Sequence, residues 1–538
     1  MRSLAKPLPR AITRPISILI LLAWIAVMAL IVRRSYLEAS TASLATDLAR
    51  YGSAAVWRGV YYRGEKIGFT VSQTVPEGDG FELQEDGRLQ MALLGATTAA
   101  TIRTDAHVDG RFALRAFEFS LDPGTGKVEV RGRLDGLRLT LDVQTPSGSR
   151  SEERVLDERP ALSLNLSRRL AGGGLAVGAR HQWTMFDPAT LRNSPVTVDV
   201  GKRELVRGAG VAPIPAFRVE MTYAGLRTTS WVTDTGEVVR EESPLGLITI
   251  RESPENARTM AVSNRIQQDL LQTSAVVPRM TARIDEPRDV RRLRLRVRGL
   301  EAAALPRADL DGGAQRVDGD VLELVDPRQL KPGRADPAAE AYLAAEPFIE
   351  SDAPEIRAEA DAAVRGIDGD RARAERLTRY VNALLDKKPT VSLPSAREVL
   401  RTKVGDCNEH TALYVAMARA LGIPARIDVG LVFVHGAFYY HAWPEVYVDR
   451  QAGRGLWLPV DPTLNQFPAD ATHLRLTRGG LEKQTAILPL IGHLSIDVVG
   501  VDLAPNSTPI LVGKQPADLG ALAIPIPRRE SSCCACRR

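Results

Sequence analysis

The sequence predicts a multi-domain chain: an N-terminal transmembrane helix, then a large all-β region, then an α+β core. Three patterns carry this prediction. Pro15 to Val32 is an unbroken apolar run, residues 56 to about 270 alternate between apolar and polar positions with glycine turns, and helical periodicity takes over after Pro337 before strands return. At 538 residues the chain is too long for one core, and its length suggests about three or four domains.

The apolar run, PISILILLAWIAVMALIV, has 18 residues, just enough to span a bilayer. Arg2, Lys6, Arg10 and Arg14 precede it, and Arg33 and Arg34 follow. That asymmetry keeps residues 1–14 in the cytoplasm and sends the chain after Val32 across the membrane. A cleavable signal peptide is the rival reading, but its apolar core would be shorter and would end in small residues rather than two arginines. The expected location is therefore the inner (cytoplasmic) membrane, single pass, with the bulk of the chain in the periplasm or otherwise outside the cytoplasm.

After a spacer over 33–55, Arg63-Gly64, Gly78-Asp79-Gly80, Asp86-Gly87, Asp109-Gly110, Gly124-Thr125-Gly126 and Asp135-Gly136 punctuate alternating stretches such as Leu137 to Val143. This is the pattern of antiparallel hairpins. Residues 56–270 read as a barrel or a strongly curved sheet, and a small β segment follows over 271–335, with Leu293 to Val297 and Val321 to Val325 as its clearest strands. Leu377, Tyr380, Val381, Leu384 and Leu385 then line one helical face. A second helix carries Leu413, Ala416, Met417, Ala420 and Leu421 and stops at Gly422, with Pro424 beyond it. Strands are expected at 426–434, 438–448 and 456–460. A C-terminal extension over 481–505 and a disordered tail over 506–538 complete the expected organisation.

Cys407 is the only cysteine before residue 533. Asp406 and Glu409 flank it in capping-box spacing, which places the thiol in the first turn of a helix. There the unpaired N–H groups and the helix dipole favour a thiolate, while Asp406 opposes it. His441 lies in the second of the expected strands and Asp461 closes the third. A thiol, an imidazole and a carboxylate at the edges of regular elements are the parts of a thiol acyl-transfer site. Cys533, Cys534 and Cys536 cluster in the tail, so the body of the chain has no disulfide framework. Zinc is disfavoured because one cysteine and scattered histidines lack ligand spacing; no metal and no cofactor is expected. The net charge of +5 is spread along the chain, and nucleic-acid binding is unsupported.

Val404-Gly405-Asp406-Cys407, Leu421-Gly422-Ile423-Pro424-Ala425-Arg426, His441-Ala442-Trp443-Pro444-Glu445-Val446 and Val460-Asp461-Pro462-Thr463 resemble the motifs of the bacterial transglutaminase-like superfamily. The resemblance covers about residues 340–480, and residues 336–480 are the expected catalytic domain. It implies a papain-like α+β core with Cys407 as nucleophile, His441 as general base and acid, and Asp461 as orienting residue. It also implies action on amide bonds of a protein or peptide through a cysteine thioester but does not fix the acceptor; hydrolysis is slightly favoured over transfer because no second substrate pocket can be read from the sequence and water is always present. The membrane, through the N-terminal helix, and a protein partner for the β region are the other expected contacts.

Simpler readings stand beside these. A lone cysteine packs well as a small core residue, and Asp461 before Pro462 suits a turn. His410, one helical turn from Cys407, and His435 compete with His441. Trp443 reads as a core or cleft-wall aromatic, Glu445 as a partner for Arg426, and Asn465 and Gln466 as cleft residues. The rival function is a non-catalytic binding or scaffolding protein outside the cytoplasm that keeps the same fold.

Overall fold

The computed structural model describes residues 55–259, 275–388, 395–505 and 510–511, leaving aside positions 63, 94–95, 125, 210, 224–225, 245, 281 and 304. Its first half is a single antiparallel sheet of 14 strands. Strand Val56–Tyr62 lies inside it, paired with Glu65–Glu77 on one side and with the last strand, Leu247–Arg251, on the other. From that seam two meanders run outward, one to the edge strand Gly148–Val155 and one to Arg180–Asp187. Alternation selects the faces: Leu139, Leu141 and Val143 are buried, and Arg138, Thr140 and Asp142 between them are exposed.

Register shifts at Val60/Tyr61, His107/Val108, Val200/Arg203 and Trp231/Val232 bend the strands. The sheet curls over a core that includes Leu83, Phe117, Val130, Leu141, Leu162 and Phe186. With two edge strands it is a strongly curved sheet rather than a closed barrel. Asp86-Gly87, expected as a turn, lies inside strand Gly80–Leu93, with Gly87 opposite Thr70 on one side and Ile102 on the other. A ladder on both sides outweighs the local turn preference.

The single-pass anchor, the fold class that included it and the inner-membrane location derived from it are corrected here. Among the described residues no helix is long and apolar enough to cross a membrane. The longest, Asp370–Leu384, has 15 residues and carries charged side chains along its length. The run 15–32 itself, the spacer up to residue 54, and Cys533, Cys534 and Cys536 lie outside the described residues.

The second half has two larger sheets on one continuous core, with two short two-stranded sheets beside them. A four-stranded sheet is ordered Gln315–Asp318, Val321–Val325, Val290–Arg298, Ser495–Leu503. Its last strand comes from the segment expected as a C-terminal extension and runs antiparallel to Val290–Arg298. Ile510–Leu511, in the segment expected to be disordered, pairs with Ala282–Arg283. The other sheet is ordered Gly333–Arg334, Arg454–Pro459, Ala437–Gln451, Ala425–Val434, His473–Gly479. Helix Cys407–Ala420 packs on its two long central strands and is surrounded by Pro354–Ala363, Asp370–Leu384 and Ala396–Thr402. Leu413, Tyr414, Val415, Ala416, Met417 and Ala418 of this helix are fully buried. Apolar residues on every side suit a helix enclosed in this way, and the Tyr414 hydroxyl is satisfied by the Ala374 carbonyl at 3.0 Å.

One glycine sets how closely the sheet closes around the candidate site. Gly430 stands opposite His441 in the register, and a Cβ there would lie 2.0 Å from the Leu474 carbonyl oxygen. Strand His473–Gly479 can approach only because that atom is missing. Gly430→Ala must push the strand back, and such overpacking costs about 1–3 kcal/mol. The expected result is a lower urea midpoint by tryptophan fluorescence; an unchanged midpoint would show that the sheet absorbs the methyl group without moving.

Candidate active site

Cys407 is the first residue of its helix. The Asp406 carboxylate accepts from the Asn408 N–H at 3.0 Å, and the Asp406 N–H donates to Glu409 Oε2 at 2.9 Å. This reciprocal cap satisfies donors that a helix start leaves open. Gly405 permits it, because a Cβ there would lie 2.2 Å from the Glu409 Cβ. The thiol stays partly exposed. Burial, followed by the Asp406 charge, still pushes it well above the ordinary thiol value, with Glu409 and Asp461 acting in the same direction; a hydrogen bond from the Ala442 backbone opposes them. A second contact pins the helix to the same point of the neighbouring strand: Thr411 Oγ1 donates to the Ala442 carbonyl at 3.1 Å. The thiol therefore sits beside the residue that follows His441.

His441 is in strand Ala437–Gln451, and Asp461 follows strand Arg454–Pro459, its antiparallel neighbour. Their side chains meet, with His441 Nε2 2.8 Å from Asp461 Oδ2. Asp461 is wholly buried, and its Oδ1 accepts the Leu464 N–H at 2.8 Å. Burial alone would raise its carboxyl. The charge and hydrogen bond of His441, then those of His473, hold it far below the usual carboxylate range.

Sequence reasoning missed His473. Its Nε2 lies 3.1 Å from Asp461 Oδ2, and its Nδ1 lies 3.2 Å from Asp470 Oδ1. Burial disfavours the charged ring, but the bonds to Asp461 and Asp470 raise it to about 9. Asp470 is fixed in turn by the Thr472 hydroxyl at 2.6 Å and by Gln466 Nε2 at 2.9 Å. Burial would raise the Asp470 carboxyl, yet the hydrogen bond and charge of His473 and the bonds from Thr472 hold it well below its ordinary value. The one sequence signal was a carboxylate and an imidazole three residues apart in Asp470-Ala471-Thr472-His473, at the start of a strand.

A second buried charge group lies on the same sheet. The Arg426 guanidinium donates to Glu445 Oε2 at 2.8 and 2.6 Å and covers the Trp457 ring at 3.9 Å. Asp428, buried beside Glu445, is raised to about 7, by burial first and then by the Glu445 charge, against the pull of Arg475, Arg426 and Arg478. Trp443 is buried and stacks on His441 with ring centroids 5.9 Å apart.

The rivals named from sequence make other contacts. His410 Nδ1 is bound to the Asp406 carbonyl at 2.7 Å, and burial lowers its ring below the ordinary value. His435 occupies a turn with φ of 48°. Asn465 Oδ1 accepts from Arg379 at 3.0 Å, and Gln466 serves Asp470. His441, Asp461 and His473 place three possible metal ligands within 4.8 Å of one another. Both imidazoles lie at hydrogen-bond distance from the same oxygen, Asp461 Oδ2.

The sequence profile of the Transglutaminase-like superfamily matches residues 357–462, so this part of the chain is a transglutaminase-like domain. The match takes in Cys407, His441 and Asp461 and stops short of Asp470 and His473. No curated protein matches the sequence. Among solved structures, a β-barrel-like protein of a domain family of unknown function from Brucella abortus is 14% identical, covering 37% of this chain and 97% of that one at a TM-score of 0.29. A candidate cysteine protease from Cytophaga hutchinsonii is 20% identical, covering 35% of this chain and 65% of that one at a TM-score of 0.25. A candidate protease from Parabacteroides distasonis is 10% identical, covering 71% and 70% at a TM-score of 0.18. All three scores are below the level at which a shared fold is read.

The raised value of His473 has a consequence for stability. A group whose affinity for a proton is higher when folded stabilises fully below its unfolded value, 6.5, and loses that contribution as pH rises through about 9. Thermal melts should therefore decline from about pH 6.5 to 9 in the parent, and His473→Gln, which has no proton to lose, should show a flatter decline. Equal slopes in the two proteins would refute this assignment of the proton.

Proposed function

We propose that the transglutaminase-like domain is a thiol-dependent enzyme acting on an amide bond of a protein or peptide. Cys407 serves as nucleophile, His441 as general base and acid, and Asp461 as the carboxylate that orients the ring. The observation that carries the reading is the buried 2.8 Å bond between His441 Nε2 and Asp461 Oδ2, formed next to the residue whose backbone contacts the thiol. Order of residues, helix cap and family match support the same assignment.

The chemistry follows from the parts. Because burial and neighbouring carboxylates keep the resting thiol neutral, proton transfer accompanies attack. The Cys407 sulfur bonds to the carbonyl carbon, its proton passes to His441 Nδ1, and the carbonyl π electrons move to oxygen. Collapse of the tetrahedral intermediate breaks the C–N bond, and the imidazolium protonates the departing nitrogen. Asp461 stabilises the charged ring in between. A thioester remains on Cys407. Water or an amine then attacks it, His441 accepts the incoming proton, and the sulfur leaves to be reprotonated. Hydrolysis needs only water and is the simpler outcome.

The burial that raises the thiol also favours a second reading, a binding or scaffolding domain whose cysteine is idle. Alkylation by iodoacetamide separates the two when followed by mass spectrometry on the Cys407 peptide near pH 6.5. General-base assistance is worth about 10²–10⁴-fold, so His441→Ala should slow alkylation by about 10²-fold or more. Peptide turnover that forms a hydroxamate with added hydroxylamine should disappear in Cys407→Ala. Equal slowness in the parent and His441→Ala would sink the enzyme and leave the scaffold.

A further inference from the structure

Sequence spacing argued against zinc, but sheet order brings three donors together that spacing keeps apart. Strands Ala437–Gln451 and His473–Gly479 flank Ala425–Val434, and their histidines meet at one carboxylate. His441 Nε2 lies 2.8 Å and His473 Nε2 3.1 Å from Asp461 Oδ2, and the three atoms stand within 4.8 Å of one another. Two imidazoles and a carboxylate are ligands that zinc takes. Bonds of about 2.0–2.1 Å to a tetrahedral ion set neighbouring donors about 3.3–3.4 Å apart, so the imidazoles need to draw back by only about 0.2–0.6 Å. The surroundings also suit a metal. A ligating histidine characteristically gives its other ring N–H to a carboxylate. His473 Nδ1 lies 3.2 Å from Asp470 Oδ1, and Asp470 is held in turn by the Thr472 hydroxyl and Gln466 Nε2. The second oxygen of Asp461 is fixed by the Leu464 N–H at 2.8 Å. Trp443 adds an apolar wall, its ring centroid 5.9 Å from that of His441 and 5.1 Å from that of His473. We propose that His441, Asp461 and His473 form an inhibitory zinc site, in which the ion separates His441 from Asp461 and idles the thiol.

Zinc binding stands independently of the functional reading above, whereas its effect on the thiol rests on that reading. The ion takes one lone pair from each Nε2 and one oxygen from Asp461. An imidazole ligated through Nε2 carries its remaining proton on Nδ1. In His441 that is the nitrogen through which the ring takes the thiol proton, so the base is lost while zinc is bound. His473 keeps its proton on Nδ1, toward Asp470, and its Nε2 proton leaves to solvent. Burial selects for an ion that needs few ligands. Asp461 is wholly enclosed, and only 7% of the His441 side chain and 3% of the His473 side chain reach solvent. Four-coordinate zinc needs one ligand beyond these three, whereas octahedral ions need three more. The exposed edge of His441 offers the way in.

The test uses the full chain carrying Cys533→Ser, Cys534→Ser and Cys536→Ser, so that the tail thiols cannot take the ion. Zinc affinity is measured by competition with a chromogenic chelator, and Co2+ serves as the spectroscopic probe of the same site. One ion per chain is expected, with the visible bands of tetrahedral Co2+ and no thiolate charge-transfer band in the near ultraviolet. Asp470→Asn should weaken zinc binding by about 10–100-fold, and His473→Gln, which removes a ligand, by about 100-fold or more. Cys407→Ala should bind zinc as the parent does. Zinc should also slow iodoacetamide alkylation of Cys407, EDTA should restore the rate, and His473→Gln should lose this response at the same zinc concentration. No binding, a thiolate band, or an affinity unchanged in His473→Gln would overturn the site. Zinc that binds through His473 yet leaves alkylation unslowed would overturn the inhibition. Should His473→Gln fail to fold, Asp470→Asn decides alone. The two readings fail separately: a His441→Ala alkylation rate equal to the parent's defeats the enzyme, while the Co2+ spectrum still decides the metal site.

Discussion

The carboxylate of Asp461, fully buried and ringed by donors, is the constraint on which the site depends. His441, His473 and the Leu464 N–H each give it a hydrogen bond. A carboxylate out of contact with water is costly unless such partners are supplied. The fold supplies them from three places: the long central strand, the outermost strand and the loop between. Removing any one would leave the charge short of a partner, so the three segments are held to one geometry. The thiol joins from the opposite side, at the start of a helix that the same central strand supports.

The sheet makes this convergence possible. Gly430 lets strand His473–Gly479 come up against Ala425–Val434, and the antiparallel pairing on the other side brings Ala437–Gln451 into register with both. His441 and His473 then project toward one carboxylate from strands separated by a third. The second sheet contributes as well. Gln315 exchanges hydrogen bonds with the Arg475 backbone, giving 2.8 Å to its carbonyl and accepting 2.9 Å from its N–H. Strand Gln315–Asp318 thereby braces the strand that begins with His473.

Much of this was legible in the sequence because it rests on local signals. Asp406 and Glu409 announced a capped helix three residues apart, Gly422 and Pro424 ended it, and apolar alternation placed the strands carrying His441 and leading to Asp461. The pairing of Glu445 with Arg426 was suggested by their opposite charges, but only the register of their two strands, which sets them opposite each other, establishes it. The unreadable parts depend on contacts distant in sequence. Asp86-Gly87 looks like a turn until strands on both sides are known to pair with it. Ser495–Leu503 looks like an extension until it returns to Val290–Arg298. His473 has no meaning as a site residue until Gly430 is seen to admit its strand, because its partner is set by sheet order and not by spacing.

Two opposing influences meet at the thiol, and their balance shapes what the site can do. The helix start and the Ala442 N–H favour a negative sulfur, whereas burial and three carboxylates, Asp406, Glu409 and Asp461, disfavour it. The second set prevails, and the thiol holds its proton more tightly than an ordinary cysteine does, which lowers the share of the reactive thiolate. The imidazoles of His441 and His473 meet at one buried carboxylate, and the helix that begins with the thiol is pinned to the residue after His441. The partners that satisfy Asp461 in the interior therefore also fix the ring on the strand that the thiol's helix touches.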